Sequence, residues 1–157
     1  MREIIFRAKR ISDGSWVEGG IMRTFHPNYD SNGDDFWERK PNCYCICANN
    51  KDYFVEQRSI GQFTELCDKK GKKIFEGDIV KVFCNADGYF DKKQEVLGKI
   101  IFDNENFYEY QIDYGHIHYG YSECICNQKD NIEVVGNIFD TPELLTAEQI
   151  EKKVGII

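Results

Sequence analysis

The fold of this chain is decided by residues 61–82, which read GQFTELCDKKGKKIFEGDIVKV. Two apolar segments in this stretch are joined by a polar turn around Gly71, and a second turn at Gly77 precedes an alternating strand. Gly77 offers a positive φ just before the strand, and the Asp78 side chain can accept hydrogen bonds from backbone amides. We therefore predict a structural turn at Gly77 and Asp78, followed by a strand with side chains alternating between two faces.

Short apolar segments alternate with turn-forming residues along the rest of the chain. Spacing of roughly 10 to 15 residues between such segments is typical of an antiparallel barrel or sandwich. In the N-terminal third, residues 26–40 are dense in Pro, Asn, Asp and Gly, which predicts a loop and the most mobile part of the molecule. Candidate strands lie around residues 4–6 and at 16–22, 43–47, 79–84, 96–102, 107–113, 117–126 and 132–138.

The C-terminal end has a different pattern. Thr141 can cap a helix, Pro142 suits its first position and Glu143 its first turn, so we predict a short helix over about residues 142–153. We expect the whole chain, residues 1–157, to form a single domain. It would contain an N-terminal β segment over residues 1–60, a barrel core over about 61–140 and the C-terminal helix.

Composition limits the function. The net charge of −7 argues against attraction of nucleic acid to the whole surface, although a local basic patch stays open. No apolar run approaches the roughly 18 residues of a transmembrane helix, and the N-terminus lacks the pattern of a signal peptide. We expect a cytoplasmic protein whose seven cysteines are reduced thiols.

Cysteines and histidines invite a metal hypothesis. On a strand, however, alternate positions lie about 6.6 Å apart, which is wide for two thiolates on one zinc. We therefore expect the cysteines to pack in the core and predict no metal or cofactor; a metal-dependent enzyme stays the weakest alternative. The residues concerned are Cys43, Cys45, Cys47, His116, His118, Cys124 and Cys126.

Four lysines cluster around Gly71: Lys69, Lys70, Lys72 and Lys73. Such a turn can meet phosphates, but a lysine-rich hairpin tip more often covers a sheet edge and faces solvent. Nucleic-acid contact here is the alternative function. The chain has no nucleophile elbow, P-loop or dinucleotide fingerprint, so we predict no catalytic residue and no enzyme.

The sequence also resembles the YopX-like family of phage and prophage proteins. Residues 61–82 carry the most specific part of the resemblance, and three further segments match at residues 2–8, 98–102 and 132–145. The resemblance implies a mainly β protein with an SH3-like small barrel, encoded by a phage or prophage and assembling with copies of itself. It supplies no catalytic residues. Such a protein would act as a non-catalytic binding or assembly module, with an unknown phage or host protein as a further partner and no contact with membrane.

Tyrosine is concentrated between residues 107 and 121, where the aromatic area exceeds what a simple hairpin needs. Tyrosine is enriched where proteins meet, because it buries a large ring and keeps a polar hydroxyl. A monomer whose tyrosines cover both faces of one sheet is the competing interpretation. The predicted homo-oligomer interface consists of Tyr108, Tyr110, Tyr119 and Tyr121.

Overall fold

The structure is a computed structural model that describes residues 3–24, 28–29, 35–36, 43–84, 94–104, 109–114, 122–128 and 130–145. The regular structure of these residues is antiparallel β-strand, with three short 3-10 turns, so the predicted mainly β fold is confirmed. None of the helical segments in these ranges is long and apolar enough to cross a membrane. The chain divides into two compact units, residues 1–62 (unit 1) and 63–157 (unit 2).

Unit 1 consists of a curled antiparallel sheet and a separate two-stranded sheet, formed by Asn28–Tyr29 and Asp35–Phe36. It contains β1 (Phe6–Lys9), β2 (Trp16–Thr24), β3 (Asn28–Tyr29), β4 (Asp35–Phe36), β5 (Cys43–Ala48), β6 (Lys51–Val55), a 3-10 turn (Gln57–Ser59) and the start of β7 (Gly61–Cys67). The sheet order is β6-β5-β2-β1, with β1 also pairing with Gly61 and Gln62. A bridge between Arg10 and Val55 returns β6 to the end of β1, around a core that includes Ala8 and Ile46.

The hairpin between β5 and β6 confirms the predicted strand at 43–47. Its two-residue turn, Asn49-Asn50, has φ values of 51° and 58°, the positive values that a type I′ turn requires. Of the predicted loop at 26–40, only residues 28–29 and 35–36 are described, and they pair as β3 and β4. The remainder of that loop lies outside the described residues.

Unit 2 contains the larger core. The rest of β7 pairs with β8 (Lys73–Phe75), and a five-stranded sheet has the order β12-β11-β10-β9-β13. Its strands are β9 (Asp78–Cys84), β10 (Gln94–Asp103), β11 (Glu109–Asp113), β12 (Ser122–Cys124) and β13 (Ile132–Asn137). The buried core is mostly aliphatic and comprises Ile74, Val80, Val82, Val96, Ile100, Ile112, Tyr114, Ile125, Ile132 and Val134.

The long strand β10 pairs with two neighbouring strands. Its first part, up to Lys99, pairs with β9, and from Lys99 onward it pairs with β11. Gly98 lies at this change of partner, where an added Cβ would come within 2.5 Å of the Ile112 side chain. Only glycine fits this approach.

The strand pairing does not by itself establish the predicted SH3-like barrel. Among the described strands, β12 and β13 are the two outer strands of the sheet.

Two secondary-structure predictions need correction. The described start of the predicted helix at 142–153 is a single 3-10 turn (Pro142–Leu145), and residues 146–153 lie outside the described residues. The Thr141 hydroxyl hydrogen-bonds the backbone of Asn137 at the end of β13, so it is used to tie the turn to the strand. The predicted strand at 117–126 is wrong at its end, because Ile125–Gln128 forms a 3-10 turn with Ile125 in the core.

The turn before β9 is stabilised on both sides. Gly77 has φ of 81°, its N–H donates to the Ile100 carbonyl, and its own carbonyl accepts from Ile138. Asp78 is fully buried, and its carboxylate accepts a hydrogen bond from the Phe75 amide at 2.8 Å. The turn therefore joins β8, β9, β10 and the end of β13.

We expect Gly77→Val to destabilise the protein by more than about 1 kcal/mol, because a β-branched residue is strained at positive φ. Space is not the reason, since an added Cβ would lie 3.5 Å or more from its neighbours. The matched control is Gly20→Val in β2, where the Cβ meets nothing within 4 Å and the backbone is extended. Thermal melts of both variants check this, and an unchanged melt for Gly77→Val would contradict it.

Candidate functional site

The lysine turn, residues 68–73, is held by the Asp68 carboxylate. One carboxylate oxygen accepts hydrogen bonds from the amides of Lys70 and Lys72 at 2.8 and 2.9 Å. The other oxygen accepts from the amide of Val134 in β13 at 3.0 Å. The Lys69 amide donates in turn to the Ile132 carbonyl at 3.0 Å. The turn thus covers the edge of β13 that faces away from β9.

Burial and hydrogen bonding act in opposite directions on Asp68. Burial favours the neutral acid, but the amides of Val134, Lys72 and Lys70 and the charge of Lys72 outweigh it. The net effect lowers the pKa of Asp68 below its usual value. Asp68 is therefore a buried anion at neutral pH, stabilised by N–H groups that are fixed in the turn and in β13.

A second carboxylate neutralises part of the lysine turn. Glu133 in β13 lies 2.8 Å from the Lys69 ammonium and 2.5 Å from the Lys70 ammonium, and each lysine contacts a different carboxylate oxygen. The hydrogen bonds from Lys69 and Lys70 lower the pKa of Glu133 to about 2. Lys73 lies over the ring of Phe63 at 5.5 Å from its centroid.

The four predicted lysines are therefore brought together, but they do not form an uncompensated cationic patch. Lys69 and Lys70 face Glu133, Lys72 lies close to the Asp68 charge, and Lys73 contacts an aromatic face. The alternation of charge continues in the neighbouring strands, where Lys81 lies directly opposite Glu133 and is paired with Glu95 at 3.1 Å. Alternating charges weaken the attraction that a polyanion would feel at a distance.

An aromatic pair lies on β10 and β11 of unit 2. Phe102 in β10 is directly opposite Tyr110 in β11, and their rings meet edge to face with centroids 5.1 Å apart. Tyr110 is partly buried against the core, whereas Phe102 is 41% exposed. Among the side chains of unit 2 whose burial the structure describes, Phe102 is the only large hydrophobic one that is exposed.

The other predicted interface tyrosines, Tyr108, Tyr119 and Tyr121, lie outside the described residues. Sequence reasoning missed Phe102, Asp68 and Glu133. Phe102 could have been found from alternation, because it shares a face with Ile100 but lies one residue before the end of β10 at Asp103.

The cysteines only partly follow the prediction of core packing. Cys45 is buried and Cys43 is partly buried, but Cys47 and Cys126 are exposed. The prediction is wrong for Cys47 because it lies near the end of β5, where its thiol donates to Asp52 and the pKa of the thiol rises. Burial raises the pKa of Cys45, so this thiol is a weak nucleophile at neutral pH.

The metal hypothesis finds no assembled ligand set in the described part of the chain. No three His, Cys, Asp or Glu side chains there are grouped so that they could hold a metal ion. His116 and His118 lie outside the described residues. Cys43, Cys45 and Cys47 share one face of β5, opposite Thr24, Met22 and Gly20 of β2.

Comparison with known proteins shows which family this chain belongs to. The sequence profile of the YopX protein family matches residues 5–146. The chain belongs to the YopX protein family. The matched range includes the lysine turn, Glu133 and the aromatic pair of this YopX protein. No curated protein matches the sequence. A crystal structure of protein EF1440 from Enterococcus faecalis is similar, with 23% sequence identity and a TM-score of 0.48, and the similarity covers 93% of this chain and all of that one.

We expect Asp68→Asn to destabilise this YopX protein by about 2 to 4 kcal/mol, since hydrogen bonds to a charged group are lost and an amide donor meets backbone donors. The matched control, Asp130→Asn, changes an exposed aspartate and should stay within about 0.5 kcal/mol of the wild type. Chemical denaturation checks both variants. Equal stability of the two would contradict the anchoring role of Asp68.

The ion pairs of Glu133 predict a specific pH dependence. Because the pKa of Glu133 is lowered from 4.5 to about 2, its stabilising effect is complete above its unfolded pKa and is lost as pH falls through about 2. The stability difference between wild type and Glu133→Gln should be constant from neutral pH to about pH 5 and shrink below about pH 4. Melting curves across this range test it. A difference that persists unchanged at the lowest pH would show that the ion pairs do not form.

Proposed function

We propose that this protein is a non-catalytic binding and assembly module, encoded by a phage or prophage and acting in the cytoplasm, and that unit 2 is a small SH3-like barrel. Three observations support the barrel. β13 returns to pair with β9, a 3-10 turn precedes it, and β10 divides its pairing between β9 and β11 at Gly98. A long strand shared by two parts of a sheet is how a small barrel turns its corner.

The aromatic pair, in which Phe102 is exposed and Tyr110 is partly buried, carries the proposal of binding. Phe102 lies beside Tyr110 at the end of the β10–β11 ladder, so the two rings form a fixed apolar surface. Aromatic rings held by a sheet lose little conformational freedom on binding, and they are enriched at the centres of protein interfaces. The partner is a second copy of this chain, and an unknown phage or host protein is a further one.

The charge arrangement favours protein over nucleic acid as the partner. The net charge is −7, and the ammonium groups of Lys69 and Lys70 are already engaged by Glu133. Binding to random duplex at physiological salt depends on lysines and arginines that neutralise phosphates. We therefore expect no tight, sequence-independent binding of DNA by the wild type.

The experiment is size-exclusion chromatography with light scattering. The wild type should elute with more than one chain per particle at tens of micromolar, and Phe102→Ser should shift it towards the monomer, because the substitution removes the exposed ring. The matched control is Met22→Ser in β2 of unit 1, which removes an apolar side chain of similar exposure, 44% against 41%.

Three outcomes decide the proposal. Loss of assembly with Phe102→Ser alone supports the aromatic pair as the interface. A monomeric wild type would contradict self-association, and an oligomer unaffected by Phe102→Ser would place the interface elsewhere. A circular dichroism spectrum of each variant excludes unfolding as the cause.

A further inference from the structure

The contact between the lysine turn and Glu133 has the geometry of a bound anion. Two ammonium groups, from Lys69 and Lys70, point at the two oxygens of one carboxylate, at 2.8 and 2.5 Å. A phosphodiester also presents two charged oxygens on one atom, so the same pair of ammonium groups fits it. Lysine is a common ligand of phosphate, as a point charge.

The lysines are positioned before any ligand arrives. Asp68 accepts hydrogen bonds from the amides of Lys70 and Lys72, and the Lys69 amide is bound to Ile132. The backbone on either side of the two ammonium groups is therefore anchored to β13. Fixing a binding group in advance reduces the entropy that a ligand must overcome.

The exposed fractions of the three side chains show which of them face solvent. The side chains of Lys69 and Lys70 are 35% and 66% exposed, whereas that of Glu133 is 20% exposed and lies on the strand beneath them. A ligand approaching from solvent meets the lysines first, and Glu133 competes with it from below.

We propose that Lys69 and Lys70 form a binding site for the phosphates of single-stranded nucleic acid, and that Glu133 keeps this site closed by occupying both ammonium groups. The inference does not rest on the proposed function, because it concerns the lysine turn and not the aromatic pair. It accounts for four lysines in one turn of a protein with net charge −7. Replacing Glu133 with an uncharged residue should open the site, because both ammonium groups then lose this carboxylate.

The test compares two variants that each lose one paired carboxylate from the same face of the sheet. Glu133→Gln removes the carboxylate that Lys69 and Lys70 share, which is also directly opposite Lys81 in β9. Glu95→Gln removes only the carboxylate paired with Lys81 at 3.1 Å, so it measures what a change around Lys81 contributes by itself. Both raise the net charge by one. The probe is a fluorescent oligothymidine of about 16 nucleotides, and its binding is followed by anisotropy at several salt concentrations.

Glu133→Gln should bind the oligonucleotide at least about tenfold more tightly than the wild type at low salt. Its plot of log K against log salt should also be steeper by about 1.4, because each phosphate contact on a single strand contributes about 0.7. Glu95→Gln should resemble the wild type. Adding Lys69→Gln and Lys70→Gln to Glu133→Gln should abolish the gain.

Equal gains in Glu133→Gln and Glu95→Gln would overturn the proposal, since net charge alone would then explain binding. Equal affinity of Glu133→Gln and wild type would overturn it as well. If Glu133→Gln does not fold, Glu133→Thr provides the same test, because threonine favours strands and carries no charge. Oligomeric state is recorded in parallel, so failure here is distinguishable from failure of assembly through Phe102.

Discussion

The arrangement of unit 2 depends on one buried carboxylate. Asp68 is 6% exposed, and a charge at that depth is tolerated only if it is fully hydrogen-bonded. Its partners are backbone amides from two places, the lysine turn and Val134 in β13. The interaction therefore joins the β7–β8 hairpin to a strand more than sixty residues later in the chain. An exposed strand edge is a liability for aggregation, and here the turn covers it.

The positions of Lys69, Lys70 and Glu133 follow from that anchor. With the turn fixed on β13, the side chain of Glu133 lies beneath two lysine ammonium groups. Individual exposed ion pairs contribute little to stability, about 0 to 1 kcal/mol, so this group is better understood as shaping the surface than as holding the fold. Its consequence is that the most basic segment of the protein presents a compensated surface to solvent. The exposed Phe102 ring is left as the distinctive feature of the described part of unit 2.

Much of the fold could be predicted from local patterns. Alternation identified β9, β10 and β13 within one or two residues, and Gly77 before Asp78 indicated the turn that has φ of 81°. The predicted start of the C-terminal helix was wrong because a capping residue was interpreted locally. Thr141 bonds back to Asn137, and the close approach of this turn to Gly136 cannot be read from the sequence, since an added Cβ there would lie 2.1 Å from Thr141 Oγ1.

The candidate site was harder to predict, because it depends on contacts between distant residues. The cluster of lysines was visible, but its neutralisation by Glu133, sixty-three positions after Lys70, was not. Asp68 looked like an ordinary turn residue, and nothing in its neighbourhood indicated a partner in β13. Tyr110 was identified from the density of tyrosine, whereas the contact of Phe102 with it depends on the register of β10 against β11.

Amide hydrogen exchange tests the central claim, the anchoring of the lysine turn to β13 by Asp68, most directly. In the wild type the amides of Lys70, Lys72 and Val134 should be protected, because each donates to the buried carboxylate. In Asp68→Asn these three amides should lose protection together, while amides in the β9–β10 ladder keep theirs. Rapid exchange of the three amides in the wild type, or their unchanged protection in Asp68→Asn, would contradict the account.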